Sequence, residues 1–171
     1  ISGGKSISEP FDTAWALVKA PLDFDSIRDM GDVEDKDIDY RVLEADFIDP
    51  ESDERLRAKA RMSDDGYGFG RIYDNDYPDE ARAFAIMSST GQPKMTYPYS
   101  IGTTNYYQGR GYQEAIFQLL ADLLDRKGMK YWEPSSGMKT GDGHMFARRM
   151  HEKHGDDEKM QRVVTDDSNP Q

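Results

Sequence analysis

The alternation of apolar and polar positions between residues 40 and 90 predicts a meander of strands. From Tyr40 to Ile48 the apolar set is Val42, Leu43, Ala45 and Phe47, a partial alternation. Arg55 to Met62 alternates strictly, with Leu56, Ala58, Ala60 and Met62 on one face and Arg55, Arg57, Lys59 and Arg61 on the other. That is the period of a strand with one buried side. Ser63-Asp64-Asp65-Gly66 predicts a turn and Tyr67 to Tyr73 the return strand. After a polar turn over Asn75 to Asp79, a third strand runs from Glu80 to Ser88 with Ala81, Ala83, Ala85 and Met87 on one face. Residues that small predict close packing beneath a helix.

The period then changes. Gln92 to Tyr107 carries Tyr97, Tyr99, Tyr106 and Tyr107, with Pro93 and Pro98 interrupting a clean strand. These tyrosines suit either a pocket lining or half-buried sheet positions. Ile116, Leu119, Leu120, Leu123 and Leu124 fall at i, i+3, i+4, i+7 and i+8, the stripe of an amphipathic helix. Lys127 and Gly128 close it. The helix opens on a glycine-bearing turn, Tyr106-Tyr107-Gln108-Gly109-Arg110-Gly111-Tyr112-Gln113. The first N–H groups of a helix lack internal partners and the macrodipole adds positive charge there, so such a turn suits an anion. The plainer alternative is a tight turn into a helix and nothing more. A short extended run from Met129 to Pro134 and a second helix ending near His154-Gly155 complete the block.

The flanks read differently. Phe11 to Ala20 places Phe11, Ala14, Trp15, Leu17 and Val18 at helical spacing, and Pro21 stops that short helix. Residues 23–39 are strongly acidic and predict a solvated linker or irregular loop. Their spacing does not meet the calcium-loop pattern of an EF-hand. Residues 156–171 are polar and aperiodic, as in a disordered tail. The expected organisation is therefore an N-terminal segment (1–22), an acidic linker (23–39), one α+β domain (40–155) and a tail. The domain is expected to hold a mixed, mostly antiparallel sheet with helices on both faces.

Composition narrows the chemistry. The formal charge of −11 counts against nonspecific nucleic-acid binding, because phosphate repels such a surface. Against that background the four cations on one face of Arg55–Met62 have two readings: a solvated face balanced by acidic neighbours, or a wall for an anionic ligand or acidic partner. The absence of cysteine excludes a disulfide framework and a thiolate nucleophile. No apolar run approaches the ~20 residues of a membrane span, so a soluble, cytoplasmic protein without a membrane partner is expected. His144, His151 and His154 all lie in the last helical region. No carboxylate of fixed geometry accompanies them, and no metal is expected.

Residues Tyr106 to Gly155 resemble the cofactor-binding half of the GNAT acyltransferase superfamily, particularly divergent GNAT-like proteins of phage and other mobile elements. That family carries Gln/Arg-x-x-Gly-x-Gly/Ala at the start of its central helix. Gln108-Gly109-Arg110-Gly111-Tyr112-Gln113 fits the first four positions, and Gln113 stands where Gly or Ala is usual. The family's later Ala-x-x-Leu-Tyr-Glu-Lys-x-Gly is matched by Ala147-Arg148-Arg149-Met150-His151-Glu152-Lys153-His154-Gly155. The resemblance implies an acyl-CoA-dependent N-acyltransferase, with acetyl-CoA as co-substrate and a small-molecule or protein amine as acceptor. It assigns the cofactor to Gln108, Gly109, Arg110, Gly111, Tyr112 and Gln113. His151 stands where the family often places its tyrosine general acid; Tyr131 is a substitute acid and Glu133 a candidate base. Two alternatives stay open: a GNAT-like accessory protein without catalysis that binds a host protein, and an α+β enzyme acting on another adenine-containing molecule.

Overall fold

The computed structural model describes residues 22–131. Their order is β1 (Leu22–Asp35), β2 (Ile38–Ile48), β3 (Arg55–Ser63), β4 (Gly68–Tyr73), β5 (Ala81–Ser89), β6 (Met95–Thr103), a 3-10 turn (Asn105–Tyr107), α1 (Tyr112–Lys127) and β7 (Lys130–Tyr131). The seven strands form one sheet in sequence order. Neighbours from β1 to β6 are antiparallel, and β6 pairs with β7 in parallel. The fold is α+β and mostly sheet.

The meander follows from the alternating pattern. Leu56, Ala58, Ala60 and Met62 are all buried beneath α1, as their shared face requires. In one row across the sheet, Leu43, Ala60, Gly70, Ala85 and Ile101 are successive register partners. Its centre is small enough for α1 to sit directly on it. A Cβ added at Gly70 would lie 2.8 Å from Cγ2 of Ile116 and 3.6 Å from Leu120. The helix contributes Ile116, Leu119, Leu120, Leu123 and Leu124 to the core, and Gly128 closes it in the left-handed conformation with its N–H on the Asp125 and Leu124 carbonyls.

Three expectations change. The acidic stretch read as a linker is mostly strand: β1 pairs with β2 along its length, with register shifts between Asp23 and Arg28 and between Asp29 and Gly31. β1 is a sheet edge, where charge and bulges are tolerated because they deter pairing with another chain. Only Leu22 enters its core, with Ile27 packed against it. The stretch read as interrupted by its prolines holds a nine-residue strand, β6, from Met95 to Thr103. Pro98 fits because it sits at the register shift between Ile86 and Met87, where the ladder is already broken. Finally, the described residues hold one α-helix, on one face of the sheet. The helices expected over 11–20 and near 147–155, and the tail, lie outside the described residues. No helix among the described residues is long and apolar enough to cross a membrane.

Candidate functional site

β6 delivers the chain to the turn. After Thr103 the 3-10 turn brings Gln108 in extended form, and Gly109 (φ 78°) and Gly111 (φ 86°) take the left-handed conformation that glycine adopts without steric cost. Gly111 is the N-cap of α1 and no side chain caps the helix there. A Cβ at Gly109 would meet nothing within 4 Å, so the turn faces open space. The backbone thus has the shape of an anion cradle: a parallel strand–helix–strand unit with a glycine turn at the helix start.

The side chains of the same stretch have other work. Tyr112 is buried; its ring lies 4.6 Å from Phe47 and 5.5 Å from Tyr107, and its hydroxyl donates to Oδ2 of Asp49 at 2.6 Å. Arg110 donates to the same oxygen at 3.1 Å, pairs with Glu51 at 3.4 Å and lies 4.8 Å over the ring of Tyr106. Gln113 donates to the carbonyls of Phe84 (2.9 Å) and Gly102 (2.6 Å), tying the first turn of α1 to β5 and β6. Gln108 donates to the Thr103 carbonyl and to Oδ1 of Asn105, both at 3.1 Å.

Asp49 is the hub. It is fully buried between β2 and β3, and its Oδ1 accepts the N–H groups of Glu51 (2.8 Å) and Ser52 (3.3 Å). Burial pushes its carboxyl up, but the bonds from Tyr112, Glu51, Arg110 and Ser52 outweigh that and hold it below the ordinary carboxylate range. Burial, reinforced by Asp49, pushes the Tyr112 phenol well above its usual value. Arg82 completes the network. It donates to the Tyr112 hydroxyl at 3.2 Å, forks onto Glu54 at 2.9 and 3.0 Å and stacks 4.4 Å over Tyr107. The Glu54 fork, with Tyr112 behind it, raises its pKa. A phenol held protonated between a carboxylate and a guanidinium is a clasp, not a general acid.

The structure therefore brings Gln108, Gly109, Arg110, Gly111, Tyr112 and Gln113 together but spends four of the side chains internally. Tyr131 is elsewhere. It pairs with Thr96 at the start of β6 and meets the Phe117 ring edge-on at 6.3 Å, at the far end of a helix about 24 Å long. Glu133, His144, His151 and His154 lie outside the described residues. Sequence reasoning missed Asp49, Glu54 and Arg82. Asp49 precedes Pro50 in what reads as a polar turn, and only its partners, 61 and 63 residues away, mark it as buried.

The basic face of β3 is largely balanced. Register puts Arg57 opposite Asp46 and Lys59 opposite Glu44. Arg55 pairs with Asp46 at 2.9 Å, Arg57 with Glu44 at 2.8 Å and Arg61 with Asp35 at 3.0 Å. No family model, no curated protein and no solved structure matches the chain.

Proposed function

We propose that the glycine turn at the start of α1 receives the pyrophosphate of an acyl-CoA, and that the chain is a GNAT-like N-acyltransferase. The observation that carries this reading is the backbone of the β6–α1–β7 unit: two left-handed glycines, an uncapped helix start and open space at Gly109. The ligand would be held by backbone N–H groups of Gly111, Tyr112 and Gln113. Arg110 adds little attraction, since Asp49 and Glu51 already answer its charge. Binding orients the thioester, an amine attacks its carbonyl carbon, and the departing thiolate takes a proton from an acid. His151 is the candidate acid and Glu133 the candidate base, both by resemblance.

The test is thermal shift with acetyl-CoA, CoA, ATP and S-adenosylmethionine. A ligand at 100 times its dissociation constant adds about 2.7 kcal/mol. Gly109→Asn keeps a residue that tolerates the left-handed conformation and puts bulk into the open space. It should abolish the shift by CoA ligands while leaving the unliganded melting temperature within a few degrees. Equal stabilisation of Gly109→Asn by CoA would refute the assignment. A shift by ATP or S-adenosylmethionine alone would replace acyl transfer with another adenine-directed activity.

A second reading has its own observation. The side chains of Arg110, Tyr112 and Gln113 serve the fold, while Tyr106 and Tyr99 stand 72% and 69% exposed. A GNAT-like protein that binds another protein without catalysis fits that distribution. Absence of a shift with every ligand favours it.

A further inference from the structure

The face of the sheet turned away from α1 holds a cavity of about 320 Å³, at the lower end of small-molecule sites. Its floor is apolar: Val42 and Tyr40 are 4% and 8% exposed. Met30 and Val33 of β1 and Phe69 of β4 wall it. Met30 and Val33 are about half exposed on a strand otherwise crowded with aspartate and glutamate. Between them Gly31 faces Val42 in register and contributes no side chain, which keeps the cavity open.

The charge at its edge has the opposite sign to the protein. Lys59, Arg61 and Arg71 line it against one carboxylate, Glu44, in a chain of net charge −11. Arg61 is already engaged, although its buried Nε has no hydrogen-bond partner. Its guanidinium lies 4.1 Å from the Tyr40 ring centroid and 4.6 Å from that of Phe69, and it pairs with Asp35. Glu44 is divided among Arg28, Arg57 and Lys59. Arg71 has no carboxylate partner among the described residues; it donates to the Pro78 carbonyl and lies over Tyr73. Lys59 and Arg71 are direct register partners on this face, an opposition of like charges that an anion between them would relieve.

We infer that this cavity binds a small apolar monocarboxylate, an aryl or branched-chain acid. Its apolar body lies on Val42, Phe69, Met30 and Val33, and its carboxylate bridges Lys59 and Arg71. The rim selects against more highly charged anions, because Glu44 lines the cavity and Asp35 of β1 pairs with Arg61 at its edge. This site is on the opposite side of the sheet from α1 and does not depend on the acyltransferase reading.

The test is an amide-detected NMR titration of the full chain with 3-phenylpropionate, its amide and 3-phenylpropylamine, three probes of one shape and different charge. The acid should shift the amides of Val42, Arg61, Phe69 and Arg71, and bind about tenfold more tightly than the amide, the value of one charge-assisted hydrogen bond. The amine should not bind. Arg71→Gln should weaken the acid by about tenfold and erase its advantage over the amide. Arg55→Gln, on the same strand face beyond the cavity, should change nothing. Equal binding of acid and amide, an unaltered affinity in Arg71→Gln, shifts confined to other regions, or no shift with any probe would each overturn the proposal.

Discussion

Replacing Asp49 with asparagine keeps the side chain's shape and removes its charge at the point where four donors converge. Oδ1 of the amide still accepts the N–H groups of Glu51 and Ser52. The other position becomes an NH2 group facing two donors, the Tyr112 hydroxyl and Arg110. Tyr112 can turn its proton away and accept, but Arg110 then loses its buried acceptor. A buried donor left unmatched costs about 1–3 kcal/mol, and a broken buried charge pair more, so Asp49→Asn should cost about 2–4 kcal/mol. Urea unfolding should show this as a midpoint lowered by about 1–2 M at unchanged slope. Tyr112→Phe removes one bond of the same hub and should cost about 1–2 kcal/mol. The two should couple by at least about 0.5 kcal/mol in a double-mutant cycle. The sign of the pH dependence is a further check. The Asp49 carboxyl is held below its unfolded value, so its contribution is complete above the ordinary carboxylate range and is lost as pH falls through the folded-state value. The gap between wild type and Asp49→Asn should therefore close on acidification. A cost below about 0.5 kcal/mol, or strict additivity with Tyr112→Phe, would refute the clasp.

Two more predictions concern the seat of α1. Gly70→Ala puts a methyl 2.8 Å from Cγ2 of Ile116 and should cost about 1–3 kcal/mol; combined with Ile116→Ala, which removes that carbon, the pair should cost less than the sum of the single changes in urea melts. Gln118 is 4% exposed and its Oε1 has no hydrogen-bond partner, so Gln118→Met, of similar length, should raise stability by about 1 kcal/mol, read as a higher urea midpoint; a lower midpoint would show that the amide is satisfied by water.

The strands of the first half were legible because each has one wet face, so period-two alternation survives in Arg55–Met62 and its neighbours. β1 was not, because this edge strand buries only Leu22 fully and its aspartates look like those of a loop. The helix and its closing glycine were equally plain, since the stripe from Ile116 to Leu124 and the left-handed Gly128 are local signals. The glycine turn was located to the residue, but the use of its side chains was not. Whether Arg110 greets a ligand or Asp49 depends on a carboxylate that only the folded meander brings near. Tyr112 shows the same limit: the resemblance gave it to the cofactor, whereas its ring packs on Phe47 and its hydroxyl is held by Asp49. Pro98 argued against a strand that exists, because a register shift leaves room for it.

The sequential order of the sheet also sets a timetable. Every strand from β2 to β6 pairs with the one made just before it, so the meander can assemble as the chain leaves the ribosome. Its lid, however, is the last long element among the described residues. Phe47 and Leu56 wait for Tyr112, Ile116 and Leu120, roughly 60 to 70 residues later, which at about 5–20 residues per second is a delay of several seconds. During that interval the nascent meander displays its apolar face without α1 over it. Synthesis that stalls before α1 leaves that face exposed, whereas synthesis that passes it supplies the helix that covers it. Cells making this protein would accordingly need a chaperone at the tunnel exit most when translation between Ser89 and Tyr112 is slow.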